Sequence, residues 1–262
     1  MKLLKFDLHE NVEIYTTYAY DHNQNCNMSY NGIDDQQVLN NRKELAHMLN
    51  TDFTHMVATF QKHTTNFIEV SLKDGGKGML DRDSAIIGYD AMYTKDPELW
   101  LFSFHADCTP VMIYCEDMNI VAEIHSGWKG TVNEIVGKVA SHLINNENCN
   151  PHHMYVYIGP AIEYRNFEAK DDIINLVKQM SFDTSSFYTL KDDGAYLLNS
   201  KGLIQQQLLN LGVLKEHIHT SPYCTMENDE MLFSYRKTKT PHRNITLIKL
   251  KKWVQSNSFL SI

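Results

Sequence analysis

The sequence contains few of the residues that mark flexible linkers between domains. Its 262 residues include 12 glycines and 6 prolines, which are scattered, and we find no low-complexity stretch and no internal repeat. Because domain boundaries fall in linkers rich in glycine, proline and polar residues, we expect residues 1–262 to form a single domain. Hydrophobic residues make up 43% of the chain, which is enough for a sizeable core and argues against global disorder.

The chain also lacks a disulfide framework, a long apolar run and an excess of positive charge. Its five cysteines include no CxxC pair, and the odd number argues against a disulfide scaffold. No window approaches the roughly 20 apolar residues of a membrane helix, and Asp7, His9 and Glu10 interrupt any signal peptide. The net charge of −8 disfavours nonspecific binding to nucleic acid or anionic membranes. We therefore expect a cytoplasmic protein with free thiols, no nucleic-acid partner and no membrane partner; the pattern makes no prediction of oligomeric state.

Hydrophobic periodicity predicts strands in clusters with helices between them. Strands are predicted at His55–Phe60, Phe67–Leu72, Leu99–Phe104, Val111–Cys115 and Ile120–His125, and in SAIIGYDAMYT, YVYIG, EHIHTS and NITLIKL. Helices are predicted at Asp34–Leu49, where Asp34 or Asp35 can cap the N-terminus, on a face that runs from Val132 to Leu143, and in DDIINLVKQM and SKGLIQQQLLNLG. This order indicates α+β layers rather than regular βαβ winding.

The segment FHADCTPVMIYCEDMNIVAEIHSGWKG, from Phe104 to Gly130, places a cysteine and a histidine at the two ends of a predicted strand pair. The residues EDMN between the strands fit a hairpin turn. If the hairpin forms, Cys108 and His125 lie near the same end of the sheet. A thiolate and an imidazole brought together can be two zinc ligands or a Cys–His nucleophile pair. His63, in the turn QKHTTN, is the candidate third partner.

Several separated segments occur in the same order as in one known family. HADCTPVMIY and IVAEIHSGWKG correspond to its TADC-x-P-V and A-H-A-G-W-R-G segments. The other matching segments are GIDDQQVLNNRKELAHML, FQKHTTNFIEV, GYDAMYT, YIGPAI and PYCTMENDEMLFSYRKTKTPHRNITLI. Over roughly Gly32 to Ile248 the chain thus resembles the YfiH-like family, also called polyphenol oxidase or laccase-domain proteins.

The resemblance implies both a fold and a metal site. The implied fold is a single α+β domain, a four-layer αββα sandwich of the YfiH-like type. Family members carry a zinc-type site whose ligands fall here on His63, Cys108 and His125. Three protein ligands leave the fourth position open, as in a catalytic zinc site. The expected cofactor is therefore Zn²⁺, with Cu²⁺ as the alternative from an older description of the family as copper-dependent polyphenol oxidases.

The resemblance further implies activity on purine nucleosides and phosphate, namely phosphorolysis of adenosine, inosine and 5′-methylthioadenosine, with deamination of adenosine. Deamination needs an activated water, which an open zinc site supplies. Phosphorolysis needs cationic side chains to hold the phosphate; the candidates in the matching motifs are Arg42, Lys129, Arg236 and Arg243. Cys108 and His125 are the catalytic candidates, joined by Asp107 as a group that orients a ligand, carries a proton or caps the local turn.

Some positions depart from the family pattern. His105 replaces a threonine, Thr64 replaces a glycine, and Lys129 replaces an arginine and so loses the bidentate fork. The segment EYRNFEA lacks the two cysteines of the family's Pro-Cys-Cys-Tyr-Glu-Val, which weakens a multi-copper hypothesis because soft donors are missing. The alternative functions are a copper-dependent polyphenol oxidase (laccase), a metal-independent Cys–His hydrolase and a non-catalytic binding protein.

Overall fold

The computed structural model describes residues 1–30 and 33–252, and strands dominate its regular structure. The strands are β1 (Leu3–Phe6), β2 (Val12–Thr17), β3 (Tyr20–Asp21), β4 (Gln24–Asn25), β5 (Met56–Phe60), β6 (Phe67–Glu69), β7 (Ile86–Ile87), β8 (Ala91–Thr94), β9 (Trp100–His105), β10 (Thr109–Cys115), β11 (Ile120–Ser126), β12 (Met154–Ile158), β13 (Glu168–Ala169), β14 (Tyr188–Leu190), β15 (Tyr196–Leu198), β16 (Ile218–Thr220) and β17 (Asn244–Leu250). The helices are α1 (Asp35–Met48), α2 (Trp128–Val132), α3 (Ile135–Asn145), α4 (Asp171–Val177), α5 (Ser200–Asn210) and α6 (Tyr235–Thr238).

Two six-stranded mixed sheets form the centre of the fold. The first has the order β1-β2-β17-β9-β5-β7 and the second has the order β16-β12-β10-β11-β8-β6. The predicted EDMN hairpin is confirmed, because β10 and β11 pair antiparallel from Thr109 opposite Ser126 to Cys115 opposite Ile120. The hairpin therefore brings the residues just before β10 and at the end of β11 together at its open end, opposite the EDMN turn. We call this end of the two strands the hairpin edge.

Alternating side chains on the strands build three apolar layers, which order the sheets and helices. Trp100 and Phe102 of β9 pack in one cluster with Leu45 of α1, whereas Leu101 of β9 and Leu99, which precedes the strand, pack between the two sheets. Alternate residues of a strand point to opposite faces, so one strand can serve both layers.

The second sheet is covered in the same way. Val121 of β11 packs between the sheets, and Ile124 packs with Val136 of α3 and Leu208 of α5. The layer order is therefore α1, first sheet, second sheet, α3 with α5, which confirms the predicted α+β fold and its four-layer αββα sandwich. Among the described residues no helix is both long and apolar enough to cross a membrane.

Two of the segments predicted as helices have different outcomes. Asp34 caps α1 as expected, because its side chain accepts a hydrogen bond from Gln37 N at 3.0 Å. The apolar face from Val132 to Leu143 is divided between α2 and α3 rather than belonging to one helix. Glu134 breaks the run because it adopts a left-handed backbone with φ of 58°, and its carboxylate accepts hydrogen bonds from the backbone and hydroxyl of Ser181.

The layer between the sheets changes from apolar to polar toward the hairpin edge. His105 follows Ser103 on the inner face of β9, and His125 follows Glu123 on the inner face of β11; all four are buried. His105 Nε2 lies 2.9 Å from Thr246 Oγ1, and burial together with the nearby His125 lowers the pKa of His105 to about 3. Burial raises the pKa of Glu123 well above its ordinary value. Burial thus disfavours the charged form of both side chains, which limits the charge beneath the site.

Shortening a side chain between the sheets tests how closely they pack. Leu101 is fully buried, so Leu101→Ala should lower the free energy of unfolding by about 2–5 kcal/mol through lost apolar contact and the cavity left behind. Leu190 is 60% exposed on β14, and Leu190→Ala should change that free energy by less than about 0.5 kcal/mol. Urea denaturation measures both values, and equal effects would mean that the two sheets do not share a close-packed core.

Candidate metal centre

The three residues predicted as metal ligands come together at the hairpin edge. His63 lies between β5 and β6, Cys108 lies between β9 and β10, and His125 lies on β11. One donor atom from each side chain lies within 4.8 Å of the other two, and Cys108 Sγ is 3.9 Å from His63 Nε2. The two imidazole rings are 5.0 Å apart and nearly perpendicular. In the described part of the chain this is the one such group of histidine, cysteine or carboxylate donors.

A buried aspartate that the motif analysis did not select holds both histidines in place. Asp90 Oδ1 lies 2.9 Å from His125 Nδ1, which leaves Nε2 of that ring for a metal. The same carboxylate accepts backbone hydrogen bonds from Lys62, His63 and Thr64 at 3.1, 2.9 and 2.7 Å. These bonds support a turn in which His63 has a left-handed backbone with φ of 59°. In the sequence, Asp90 is visible only as an aspartate directly before the strand in GYDAMYT, one of the segments that match the family.

The electrostatics of the cluster favour the metal-binding form of the cysteine. Burial alone would raise the pKa of Cys108, but His125 and His63 lower it to about 6. Burial alone would lower the pKa of His125, but Cys108 and Asp90 raise it to about 10. Burial also opposes the charge of Asp90, yet its hydrogen bonds with His125 and Thr64 lower its pKa to about 2. A thiolate is the form of cysteine that binds metals, whereas His125 must lose a proton before its Nε2 can bind one, so metal binding would release that proton.

The backbone next to the cluster leaves no space for a side chain. A Cβ atom at Gly127 would lie 2.7 Å from His63 Cδ2 and 3.1 Å from Cys108 Sγ. Gly127 therefore lets β11 turn into α2 without displacing either donor. Two imidazoles and one thiolate, one imidazole oriented by a carboxylate, form a donor set that zinc accepts, and the three ligands leave its fourth position open. The residues present thus fit a catalytic zinc ion.

A cavity of about 760 Å³ opens above the three donors. The apolar side chains of Phe104, Trp128, Ile162 and Phe167 line part of it. The three donor residues line it as well. This volume lies in the range of sites for small molecules and cofactors. The metal-binding cluster is therefore in contact with a cavity suited to a small organic molecule.

Asp107 adopts a strained left-handed conformation, with φ of 89°, directly before Cys108. Its carboxylate accepts hydrogen bonds from Thr225 Oγ1 at 2.6 Å, Ser234 Oγ at 2.7 Å and Arg236 N at 2.5 Å. Both oxygens are thus already engaged, which favours a role in positioning Cys108 and α6 over a role in carrying protons.

Two of the four predicted phosphate ligands are placed where their charge can reach the cavity. Arg236 and Arg243 both line it. Burial lowers the pKa of Arg243, although the nearby Cys108 and Asp107 oppose this effect. Arg236 Nη2 bonds only a backbone carbonyl, that of Glu168, at 3.2 Å.

The other two predicted phosphate ligands are placed differently. Arg42 borders the cavity, but it is buried and donates to the backbone carbonyls of Met28, Gly78 and Met79. Burial lowers its pKa to about 10. Lys129 is exposed on α2, 5.6 Å from the centre of the Trp128 ring, and is not part of the cavity wall. Arg82 and Lys239, which are not among the predicted phosphate ligands, do line it.

Comparison with known proteins agrees with this architecture. Residues 16–251 match the model of the family described as multi-copper polyphenol oxidoreductase laccase. A Bacillus subtilis protein named purine nucleoside phosphorylase YlmD is 31% identical over 205 residues, covering 78% of this chain and 73% of the relative. The crystal structure of hypothetical protein YfiH from Bacillus licheniformis superposes with a TM-score of 0.91 at 28% identity, covering 95% and 96% of the two chains. The crystal structure of YlmD from Geobacillus stearothermophilus superposes with a TM-score of 0.91 at 27% identity, covering 96% of this chain and 97% of that chain.

The role of Asp90 can be measured through zinc affinity. Asp90→Asn keeps the size of the side chain but removes the charge that orients His125, so we expect zinc affinity to fall about 10–100-fold. Asp83→Asn, at an exposed aspartate outside the cluster, is the control and should bind zinc like the native protein. Competition with a chromogenic chelator gives the affinities, and circular dichroism checks folding. Native affinity in a folded Asp90→Asn variant would contradict the assigned role.

The lowered pKa of Cys108 predicts unusual reactivity in metal-free protein. The rate of alkylation by iodoacetamide should rise with pH around a midpoint near 6, because the thiolate forms above the pKa and is lost below it. An ordinary cysteine has a midpoint near about 8.5. The other four cysteines are buried and serve as internal controls, which mass spectrometry separates from Cys108. A midpoint above 8 would show that the histidines do not stabilise the thiolate.

Proposed function

Because the chain belongs to the family described as multi-copper polyphenol oxidoreductase laccase, the YfiH-like proteins, we propose that it is a purine nucleoside phosphorylase with adenosine deaminase activity. The observation that carries this proposal is one cavity that joins a His–Cys–His cluster to Arg236 and Arg243. A relative that is 31% identical over 78% of this chain bears the name purine nucleoside phosphorylase, which supports the same substrate class. Adenosine, inosine and 5′-methylthioadenosine are the proposed substrates, with inorganic phosphate.

Phosphorolysis would use the cations and the apolar wall together. Arg236 and Arg243 would hold the phosphate dianion through charge-assisted hydrogen bonds, and Trp128 and Phe167 would contact the purine. A phosphate oxygen forms the bond to C1′ of the ribose while the bond from C1′ to N9 breaks. The base departs with the electron pair and then takes up a proton. Asp107 keeps α6, and hence Arg236, next to the reacting atoms.

We propose Zn²⁺ as the cofactor, held by His63, Cys108 and His125. Zinc at such a site supplies Lewis acidity at an open coordination position, which suits water activation at C6 of adenine in deamination. Asp90 would keep His125 in the tautomer that presents Nε2. The His–Cys–His donor set also suits a single copper ion, so metal content must be measured.

Two other functions draw on the same residues. A copper-dependent polyphenol oxidase that reduces oxygen needs more than one copper, but the described residues contain one donor cluster of this kind. A metal-independent hydrolase is favoured by one observation: Cys108, His125 and Asp90 form a thiolate, imidazole and carboxylate series, the arrangement of an activated nucleophile. Chelation separates the cases, because a Cys–His hydrolase keeps its activity when the metal is removed.

Product analysis tests the proposed function directly. With adenosine and phosphate the native protein should form adenine and ribose 1-phosphate, and without phosphate it should form inosine alone; metal analysis should find about one zinc per chain. His63→Ala should lose zinc and lower both rates by at least about 100-fold, since it removes a ligand. His152→Ala, at another exposed histidine, should change neither. A zinc-loaded protein that gives no purine product would refute the proposal.

A further inference from the structure

The hydroxyl of Thr64 adds a hydrogen bond to the carboxylate that orients His125. Asp90 Oδ2 accepts hydrogen bonds from Lys62 N at 3.1 Å, Thr64 N at 2.7 Å and Thr64 Oγ1 at 2.9 Å. Asp90 Oδ1 accepts one from His63 N at 2.9 Å and lies 2.9 Å from His125 Nδ1. Within the described part of the chain, Thr64 therefore supplies two of the three bonds to the carboxylate oxygen that does not contact His125.

These bonds matter because an aspartate does not fix the rotation of its own carboxylate. That torsion is broad and roughly two-fold, so the partners of the two oxygens decide where each of them points. Bonds to Asp90 Oδ2 set the plane of the group, and the position of Oδ1 opposite His125 Nδ1 follows from that plane. Thr64 thus controls, through one oxygen, how the other oxygen meets the imidazole.

The hydroxyl of Thr64 is itself held in one orientation. Its oxygen accepts a hydrogen bond from Asn66 N at 3.2 Å, a contact that threonine makes in local turns. Its single proton has two acceptors within reach, Asp90 Oδ2 at 2.9 Å and Gly88 O at 3.2 Å. Gly88 O also receives Asn66 Nδ2 at 3.0 Å, whereas the carboxylate is closer and charged and so forms the stronger bond. The proton of Thr64 is therefore directed to Asp90.

The turn around His63 depends on the same carboxylate. Its left-handed backbone, with φ of 59°, turns the N–H groups of Lys62, His63 and Thr64 toward one acceptor. A histidine in this conformation carries a steric cost that the surrounding contacts must offset. The hydroxyl bond adds to those contacts from within the turn, so Thr64 also stabilises the conformation that places His63 Nε2 3.9 Å from Cys108 Sγ.

We propose that Thr64 is a positioning residue of the metal centre, whose hydroxyl sets, through Asp90, the orientation of His125 and the turn that carries His63. Thr64 stands where the family pattern has a glycine, so this bond is an addition made by the side chain of this chain. The inference rests on the zinc centre of the proposed function and concerns how firmly that centre holds its metal. Thr64 is not part of the cavity wall, so its effect reaches the metal through Asp90 rather than through the substrate.

Zinc affinity measures this role in the absence of any nucleoside. Thr64→Val keeps the shape of the side chain and replaces the hydroxyl by a methyl group. Competition with a chromogenic chelator should show affinity lower by about 3–10-fold, less than for Asp90→Asn because Thr64 acts one bond farther from the metal. Thr64→Ser keeps the hydroxyl and should recover most of the lost affinity.

Thr65→Val is the matched control. Thr65 is the next residue of the same turn and is half-buried like Thr64, but its hydroxyl is not among the groups that bond Asp90 in the described structure. It should bind zinc like the native protein. Circular dichroism of the metal-free proteins checks folding, and Thr64→Ala, which also removes the hydroxyl, replaces Thr64→Val if that variant does not fold.

Cobalt in place of zinc provides a measurement that a change in stability alone would not move. The visible absorption of Co²⁺ depends on the arrangement of its ligands, so Thr64→Val should shift the bands. Thr64→Ser should return them to the native positions, and Thr65→Val should leave them unchanged.

The outcomes separate this inference from the proposed function. Native zinc affinity and an unshifted cobalt spectrum in folded Thr64→Val would overturn the inference and leave the metal centre standing. So would equal losses in Thr64→Val and Thr65→Val, or a failure of Thr64→Ser to recover affinity. A native protein that binds neither zinc nor cobalt would refute the metal centre and the inference together. If the variants behave as expected and no purine product forms, only the proposed reaction fails.

Discussion

The carboxylate of Asp90 is the interaction on which the site depends. It is fully buried, yet it accepts three backbone hydrogen bonds from the turn around His63 and contacts the ring of His125. One side chain thereby connects the loop after β5 in the first sheet to β11 in the second sheet. Because a buried carboxylate is costly unless it is fully hydrogen-bonded, its partners cannot separate without a large penalty. Two donors from different sheets are in this way held a few ångströms apart.

The αββα sandwich supplies what this interaction requires. Leucines and valines fill the layer between the sheets over most of its length, and polar residues replace them only near the hairpin edge. Burial disfavours the charged forms of His105 and Glu123 there, so the charges of Asp90, Cys108 and His125 act mainly on each other and on a ligand. The rigid layers thus place a charged cluster at the floor of a cavity and keep competing charge away from it.

The distribution of cations complements this arrangement. The chain is acidic overall, yet Arg236 and Arg243 line the cavity beside the three donors, where they add local positive charge. Aromatic rings beneath Arg82, Lys239 and Arg243 reduce the cost of holding them there.

The sequence by itself determined the local elements and the joining of Cys108 with His125. Helix α1 with its Asp34 cap and the β10–β11 hairpin were predictable because periodicity, capping and turn chemistry act between residues close in the chain. The turn QKHTTN offered His63 as a candidate third partner, and the family pattern joined it to Cys108 and His125 as a ligand set and implied the fold. Only the tertiary structure decided that Asp90 joins the site, that Arg42 is engaged by carbonyls, and that Arg82 faces the cavity while Lys129 does not. Those outcomes depend on contacts between sheets that are distant in sequence, and on which backbone groups burial leaves in need of a partner.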